Sequence, residues 1–405
     1  MKPTILFLNR SKPEVYLSSN KQSLLFDSNK YGIIMINHIA VEPLPEKITN
    51  PFLSQIFIDL NNHNEVIKEV KRLNKIYSIA AVISLTEREQ TLAGKVRTLC
   101  KIDGISYKQS FYLRDKVMMK QKLKHYNLLL PQFMALQKDR LSEAFVFLKK
   151  HNKVVFKPRS GTGSMDTVIV RNEGHLKELL DNYYENIDSF YLEEFISGEM
   201  YCVDSTISEG RVIFSGVMKY QSSTLNFKKN RNVFSCIIPE DTEIVNAIKN
   251  YTKKIISIFN INKGATHLEV FVNHLNQIIF CEIASRPGGG YIAQALENSY
   301  GISVYESAIK AELNEPILLI ENRKRYSGFL IFNHAQGKVK KITLPENKNY
   351  SWILLHEVNA KEGDITNTSQ FITENIATFL IDSPSYKKLI ERIEIIEKKF
   401  SVSYY

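Results

Sequence analysis

The sequence predicts an α/β protein of several lobes, with a parallel N-terminal sheet followed by strand pairs and helices. Three observations carry this expectation. At 405 residues the chain is too long for one small core. Short apolar runs alternate with helix-like stretches in the N-terminal segment, the pattern of strands covered by helices. Later apolar runs come in twos around turn-forming residues such as Glu209-Gly210 and Asn273–Asn276.

The elements follow in order. Ile5–Asn9, Gly32–Asn37, Gln55–Leu60 and Ser78–Ser84 read as strands, and Asn64–Asn74 as a helix through Val66, Ile67, Val70 and Leu73. No Gly-rich fingerprint follows the first strand, which argues against a dinucleotide site there. Arg114–Tyr126 is helical, with Met119, Leu123 and Tyr126 on one face. Lys153–Pro158 and Thr167–Val170 are strands flanking the Gly/Ser loop Arg159–Met165. Phe190–Ile196 is a strand, and Tyr201–Ile207 pairs with Val212–Met218. Ala265–Val272 pairs with Gln277–Ile283. Ile292–Ser299 and Val304–Leu313 are helical. The character changes near Pro316: Tyr326–Phe332 and Lys338–Ile342 look like β structure, Ser385–Lys399 is an amphipathic helix, and Val402–Tyr404 a last strand.

Composition narrows the class. A hydrophobic fraction of 44% with 24% charged residues is ordinary globular usage and leaves little room for long disorder. No apolar run is long enough to span a membrane, and Ile5–Leu8 is too short for a signal-peptide core. The cysteines (Cys100, Cys202, Cys236, Cys281) form no C-x-x-C pair, which argues against structural zinc or disulfides and suits a reducing cytoplasm. The net charge of +10 is spread along the chain without a nucleic-acid-binding motif, so no nucleic-acid partner is expected.

Four stretches carry chemistry. Arg159-Ser160-Gly161-Thr162-Gly163-Ser164 follows a strand ending in Lys157-Pro158. Its glycines let amides approach a phosphate, and Lys157 would neutralise phosphate oxygens. It is neither a Walker A loop nor a dinucleotide fingerprint, because a strand follows it. A flap over a triphosphate and a plain hairpin turn both fit. The extended run Tyr191–Glu199 can offer backbone groups to an adenine edge and the Glu199 carboxylate to ribose hydroxyls, or it is an exposed strand. Glu269 and Glu282 stand in apolar strands joined by a short turn. Face to face they would repel unless a cation such as Mg²⁺ sat between them; salt bridges are the alternative. Arg286-Pro287-Gly288-Gly289-Gly290 opens a helix, a natural anion site, with Arg286 placed to stabilise a negative transition state.

Taken in order, these residues resemble the ATP-grasp superfamily, whose members join a carboxylate to an amine through an acyl-phosphate. The resemblance covers roughly positions 1–310, and the remainder is similar to the extra domain of bacilysin-synthetase-type L-amino-acid ligases. It implies an N-terminal domain at 1–112, a flap-bearing small lobe at 113–185, a large lobe with the reaction site at 186–314 and a C-terminal domain at 315–405. It also implies that Lys116 and Lys157 hold ATP phosphates, that the loop with Gly161, Gly163 and Ser164 closes over them, and that backbone at Glu194 and Ile196 meets adenine. Glu193 would lie near the adenine amino group and Glu199 on ribose. Glu269 and Glu282 would ligate Mg²⁺, for which Mn²⁺ could substitute. Arg286 would bind the reacting carboxyl. His267 matches a position near the reacting groups, although a structural histidine fits equally. Lys219 is a further phosphate candidate. Small-molecule carboxylate and amine substrates are implied, with a ligase acting on a non-amino-acid metabolite or a non-catalytic nucleotide-binding protein as the alternatives, and a homodimer is left open. One departure stands out: many members read Glu-x-Asn at the second metal position, whereas here it is Glu282-Ile283-Ala284, leaving Ser285 or water for that coordination site.

Overall fold

A computed structural model describes residues 2–18, 22–221, 232–318, 325–345, 350–368 and 374–405. The N-terminal strands β1 (Thr4–Asn9), β2 (Gly32–His38), β3 (Ser54–Ile58) and β4 (Ile79–Ile83) form a sheet of order β3-β2-β1-β4. Every pairing in it is parallel, as expected. Alternate residues of β1 explain why: Leu6 and Leu8 pack under helices α1 (His63–Tyr77) and α2 (Gln90–Cys100), while Ile5 and Phe7 face a second core. A parallel sheet needs both faces covered. Order reverses between β1 and β4, and the crevice outside the carboxyl ends of such strands is where open α/β sheets present functional groups.

Helix α3 (Lys116–Leu123) follows. Asp115 caps it, accepting from the amides of Val117 and Met118 at 2.9 and 3.0 Å. Met119 and Leu123 are buried, but the helix stops at Leu123 and Tyr126 is 43% exposed, so the third residue of the expected face lies outside it. The small lobe comprises β5 (Phe133–Ala135), α4 (Leu141–His151), β6 (Val154–Pro158), β7 (Val168–Val170), α5 (Glu173–Asn182) and β8 (Phe190–Glu194), its sheet ordered β5-β8-β6-β7. Since β8 belongs to this sheet, the lobe extends past the expected boundary at 185. β6 and β7 are antiparallel around the Gly loop.

The large sheet begins with β9 (Glu199–Ser208) and β10 (Arg211–Tyr220), turning at Glu209 and Gly210 with φ of 50° and 73°. Two positive φ values suit a two-residue hairpin. β11 (Val233–Ile237), α6 (Glu243–Ile258), β12 (Gly264–Val272), β13 (Ile278–Ala284), α7 (Ile292–Tyr300) and α8 (Val304–Glu312) complete the central region. Helix α8 supplies Ala308 and Ile309 to the N-terminal core, which fixes that domain against the central sheet.

The C-terminal strands are β14 (Tyr326–Asn333), β15 (Gly337–Thr343), β16 (Ile353–Val358), β17 (Ile365–Thr366), β18 (Asn375–Ser383) and β19 (Ser401–Tyr404), with helix α9 (Tyr386–Lys399) before the last. The large sheet runs β13-β12-β9-β10-β11-β14-β18-β16, straight through the expected boundary at 315, while β17-β15-β19 is separate. The last ninety or so residues thus extend the same sheet that carries the Glu269–Glu282 strands. No helix among the described residues is long and apolar enough to cross a membrane.

Candidate active site

The turn between β12 and β13 sets the register of the acidic pair. Asn273 Oδ1 accepts from the amides of Leu275 and Gln277 at 3.0 Å each, and Asn276 takes a φ of 57°. With that turn fixed, Glu269 pairs directly opposite Glu282. A bulge after Glu269 re-aims the next residues, so that ligand atoms of Glu269, Cys281 and Glu282 all lie within 4.8 Å of one another. Like charges across a strand pair repel. Here cations and donors relieve them: Lys116 Nζ lies 3.1 Å from Glu282 Oε2, Tyr220 donates to Glu269 at 3.3 Å, and His267 Nε2 is 3.5 Å from Glu269. Burial pushes the Glu282 carboxyl up, but Lys116 and then Lys157 outweigh it and hold it below its ordinary range. The paired oxygens suit Mg²⁺, which prefers hard carboxylate donors. Cys281, pushed up to about 12 by burial, stays a thiol and is a poor ligand for such an ion.

The lysines come from two elements. Lys116 is the first residue of α3; its amide donates to the Arg159 carbonyl at 2.9 Å and its ammonium to the Gly161 carbonyl at 3.0 Å. Arg159 in turn donates to the cap Asp115 at 2.9 Å. The base of the Gly loop is therefore tied to the start of α3. Within the loop Gly163, Ser164 and Asp166 have φ of 60°, 58° and 49°, a tight left-handed path between β6 and β7. Lys157, on β6, lies 2.8 Å from Glu193 on β8.

Arg286 follows β13 and meets Glu87, which lies just beyond the carboxyl end of β4. Its Nε donates to Glu87 Oε2 at 2.7 Å and its Nη2 approaches the same oxygen at 2.5 Å. Arg114 takes the other oxygen at 2.8 Å. Burial works to raise the Glu87 carboxyl, but Arg286 and Arg114 bring it down to about 2. Because that value is depressed below the ordinary 4.5, the pairing stabilises the fold fully above about pH 4.5 and is lost as pH falls toward about 2. A wild-type melting temperature that falls more steeply than that of Glu87→Gln between pH 5 and pH 3, roughly the window set by this linkage, is the expected result.

Asp204 on β9 is buried and pairs in register with His267. Its Oδ1 lies 2.6 Å from His267 Nδ1, and its Oδ2 accepts from the Gly288 amide at 2.5 Å. Burial opposes charge on the ring, yet Asp204 lifts His267 to about 9. A Cβ on Gly288 would lie 2.8 Å from Asp204 Oδ1, 2.8 Å from Ile292 Cγ2 and 2.9 Å from His267 Nδ1. Gly288→Ala should therefore destabilise by about 1–3 kcal/mol, the usual scale for overpacking. It should also slow turnover by displacing His267, as thermal unfolding and steady-state rates would show.

The other expected residues lie on or beside β8, β9, β10 and β13. Glu193 is buried between Lys157 and Lys120 and accepts from Tyr191 at 3.0 Å, so its carboxylate is engaged by lysines rather than open to a base. Glu194 bonds back to Gln132 through its amide (2.8 Å) and its carboxylate (3.1 Å), and Ile196 is half-buried beyond the end of β8. Glu199 pairs with Lys219 at 2.5 Å and accepts from Tyr201 at 2.8 Å, which brings Lys219 to the candidate ribose residue instead of the Glu269–Glu282 pair. Ala284 pairs opposite His267, and the Ser285 hydroxyl donates to Gln90 at 3.3 Å, turned toward the N-terminal domain. Glu87 and Asp204 are absent from the sequence expectations. Asp204 carries the same signal that marks Glu269, an acid inside an apolar strand. Glu87 is found only through its place at a strand's carboxyl end.

The ATP-grasp domain profile matches residues 151–295, which spans the Gly loop, the Glu193–Glu199 run and the acidic hairpin. Over 384 residues, 92% of this chain and 91% of the relative, the sequence is 25% identical to an L-arginine-specific L-amino acid ligase of Bacillus subtilis. A shorter match, 33% identical over 111 residues, covers 26% of this chain and 31% of a D-alanine–D-alanine ligase of Pediococcus pentosaceus. Among solved structures, an L-amino acid ligase from Bacillus licheniformis superposes with a TM-score of 0.78 at 16% identity, over 100% of this chain and 99% of that one. The biotin carboxylase domain of a Hydrogenobacter thermophilus carboxylase, in complex with MgADP, gives 0.68 at 14% identity, over 99% and 90%. In fold, in the order of these residues and in sequence the chain is similar to ATP-grasp carboxylate–amine ligases, and residues 151–295 match the ATP-grasp domain.

Proposed function

We propose that this chain condenses two amino acids, or an amino acid and another amine, with ATP as the energy source. The observation that carries the reading is the acidic pair Glu269–Glu282, in register across one hairpin, with Lys116 at 3.1 Å from Glu282. Lys116 and Lys157 bind the phosphates, the Gly161–Ser164 loop covers them, and Glu199 meets the ribose. Glu269 and Glu282 would hold Mg²⁺, which would neutralise phosphate charge, and Mn²⁺, another oxygen-seeking ion, would serve in its place.

The substrate carboxylate attacks the γ-phosphorus in line and ADP departs. Lys116 and Lys157 position the phosphates for that displacement. The acyl-phosphate carbon is then attacked by the amine, the C–O bond to phosphate breaks, and the amine proton is lost to solvent or phosphate. Arg286, aimed by Glu87, faces the oxyanion of the tetrahedral species. His267 is held by Asp204 with its Nε2 toward Glu269. Loop closure keeps water from the acyl-phosphate. Ala284 offers no oxygen donor, so Glu269 and Glu282 are the side chains of this hairpin that would hold the metal.

Small molecules are the partners this reading calls for, in a cytoplasmic setting. The test is a matrix of amino-acid pairs with MgATP, read by mass spectrometry of the condensed product, with L-arginine entered first because the Bacillus subtilis relative is named for it. Phosphate release that requires both partners supports the reading. Release of AMP and pyrophosphate overturns it.

A further inference from the structure

Lys120 lies one turn of α3 beyond Lys116 and has no exposed surface. A lysine ammonium has three hydrogens to donate, and here all are spent. They go to Glu193 Oε2 at 2.8 Å, the Cys281 carbonyl at 3.0 Å and the Tyr191 hydroxyl at 3.4 Å. Lys157 shares Glu193 from the other side, at 2.8 Å on Oε1. One buried carboxylate thus stands between two ammonium groups. Lys120 is sealed in, whereas Lys157 keeps 10% of its side chain exposed.

We propose that Lys120 is a positioning residue for the nucleotide step: it keeps Glu193 compensated, so that Lys157 can be drawn to the phosphates. A buried carboxylate stripped of its cation is strongly disfavoured. Were Lys157 the sole partner of Glu193, the pair would hold the ammonium back. With Lys120 in place, Glu193 retains a full-strength partner and a bond from Tyr191 whatever Lys157 does. The third contact of Lys120, to the Cys281 carbonyl, holds the ammonium at the meeting of α3, β8 and β13. Burial lowers the Lys120 ammonium, against the pull of Glu193, while Lys157 is held well above its ordinary range by the same carboxylate despite burial. Both lysines are thus coupled through Glu193.

The inference rests on reading the cleft as a nucleotide site, and wild-type binding of MgADP by calorimetry tests that reading by itself. Given such binding, Lys120→Met should weaken MgADP by roughly tenfold or more while moving the KM of the amino substrates by less than about twofold. Lys120→Arg should restore most of the affinity, since it returns the cation. The double variant Lys120→Met with Glu193→Gln should bind MgADP as Glu193→Gln alone does, because no carboxylate remains to retain Lys157. If Lys120→Met does not fold, that last comparison still decides. A double variant that binds MgADP several-fold more weakly than Glu193→Gln, or a folded Lys120→Met that binds as wild type does, overturns the inference.

Discussion

Glu282→Gln is expected to lower turnover by at least about 1,000-fold, a barrier increase of roughly 4 kcal/mol. The substitution keeps the shape and removes the charge. Lys116 loses its ion-pair partner at 3.1 Å but keeps its bond to the Gly161 carbonyl at 3.0 Å, so the fold should tolerate the change better than the chemistry does. Nucleotide binding without the metal should persist, since Lys116 and Lys157 remain. Phosphate release at saturating substrates, compared with calorimetric binding of ATP in the presence of a chelator, separates the two effects. Glu269→Gln should behave in the same direction but less severely, because Tyr220 and His267 still crowd that position.

Arg286→Met is the second large effect. Removing one donor to a developing oxyanion costs about 100- to 1,000-fold in turnover. The loss should fall on kcat, with the KM for ATP little changed, since Arg286 bonds to Glu87 and to the Pro287 carbonyl, away from the Gly loop. Arg286→Lys should rescue poorly. The guanidinium presents both Nε and Nη2 to Glu87, a fork that a single ammonium cannot reproduce. Steady-state kinetics of the two variants would show this, and full activity in Arg286→Lys would remove the forked contact from the account.

Much of the fold was legible because its signals are local. The parallel N-terminal sheet follows from apolar runs alternating with one clear amphipathic helix. The register of Glu269 against Glu282 follows from a turn whose Asn273 and Asn276 are both turn formers. Helices α4, α5 and α6 lie outside the sequence expectations, although Leu176, Leu179 and Leu180 and the set Val245, Ile248, Ile255 carry helical spacing. The β14–β18–β16 pairing was not legible: these strands join the large sheet through β11, a long-range choice that spacing does not encode. In the site, residues inside distinctive runs were found and their partners were not. Lys120 reads as one more surface lysine of an amphipathic helix, and only the fold brings Glu193 to it. Glu87 and Arg286, 199 positions apart, meet because α8 docks the N-terminal domain on the central sheet.

The central claim is an acyl-phosphate made from a substrate carboxylate at this cleft. The most direct test uses a productive substrate pair whose carboxylate carries heavy oxygen at both positions. The oxygen that bridges carbon and phosphorus must leave with phosphate when the amine attacks. Mass spectrometry should then find one labelled oxygen in each inorganic phosphate released, ADP as the nucleotide product, and one labelled oxygen in the amide. Amide formation with unlabelled phosphate, or with the label in AMP, would contradict the account.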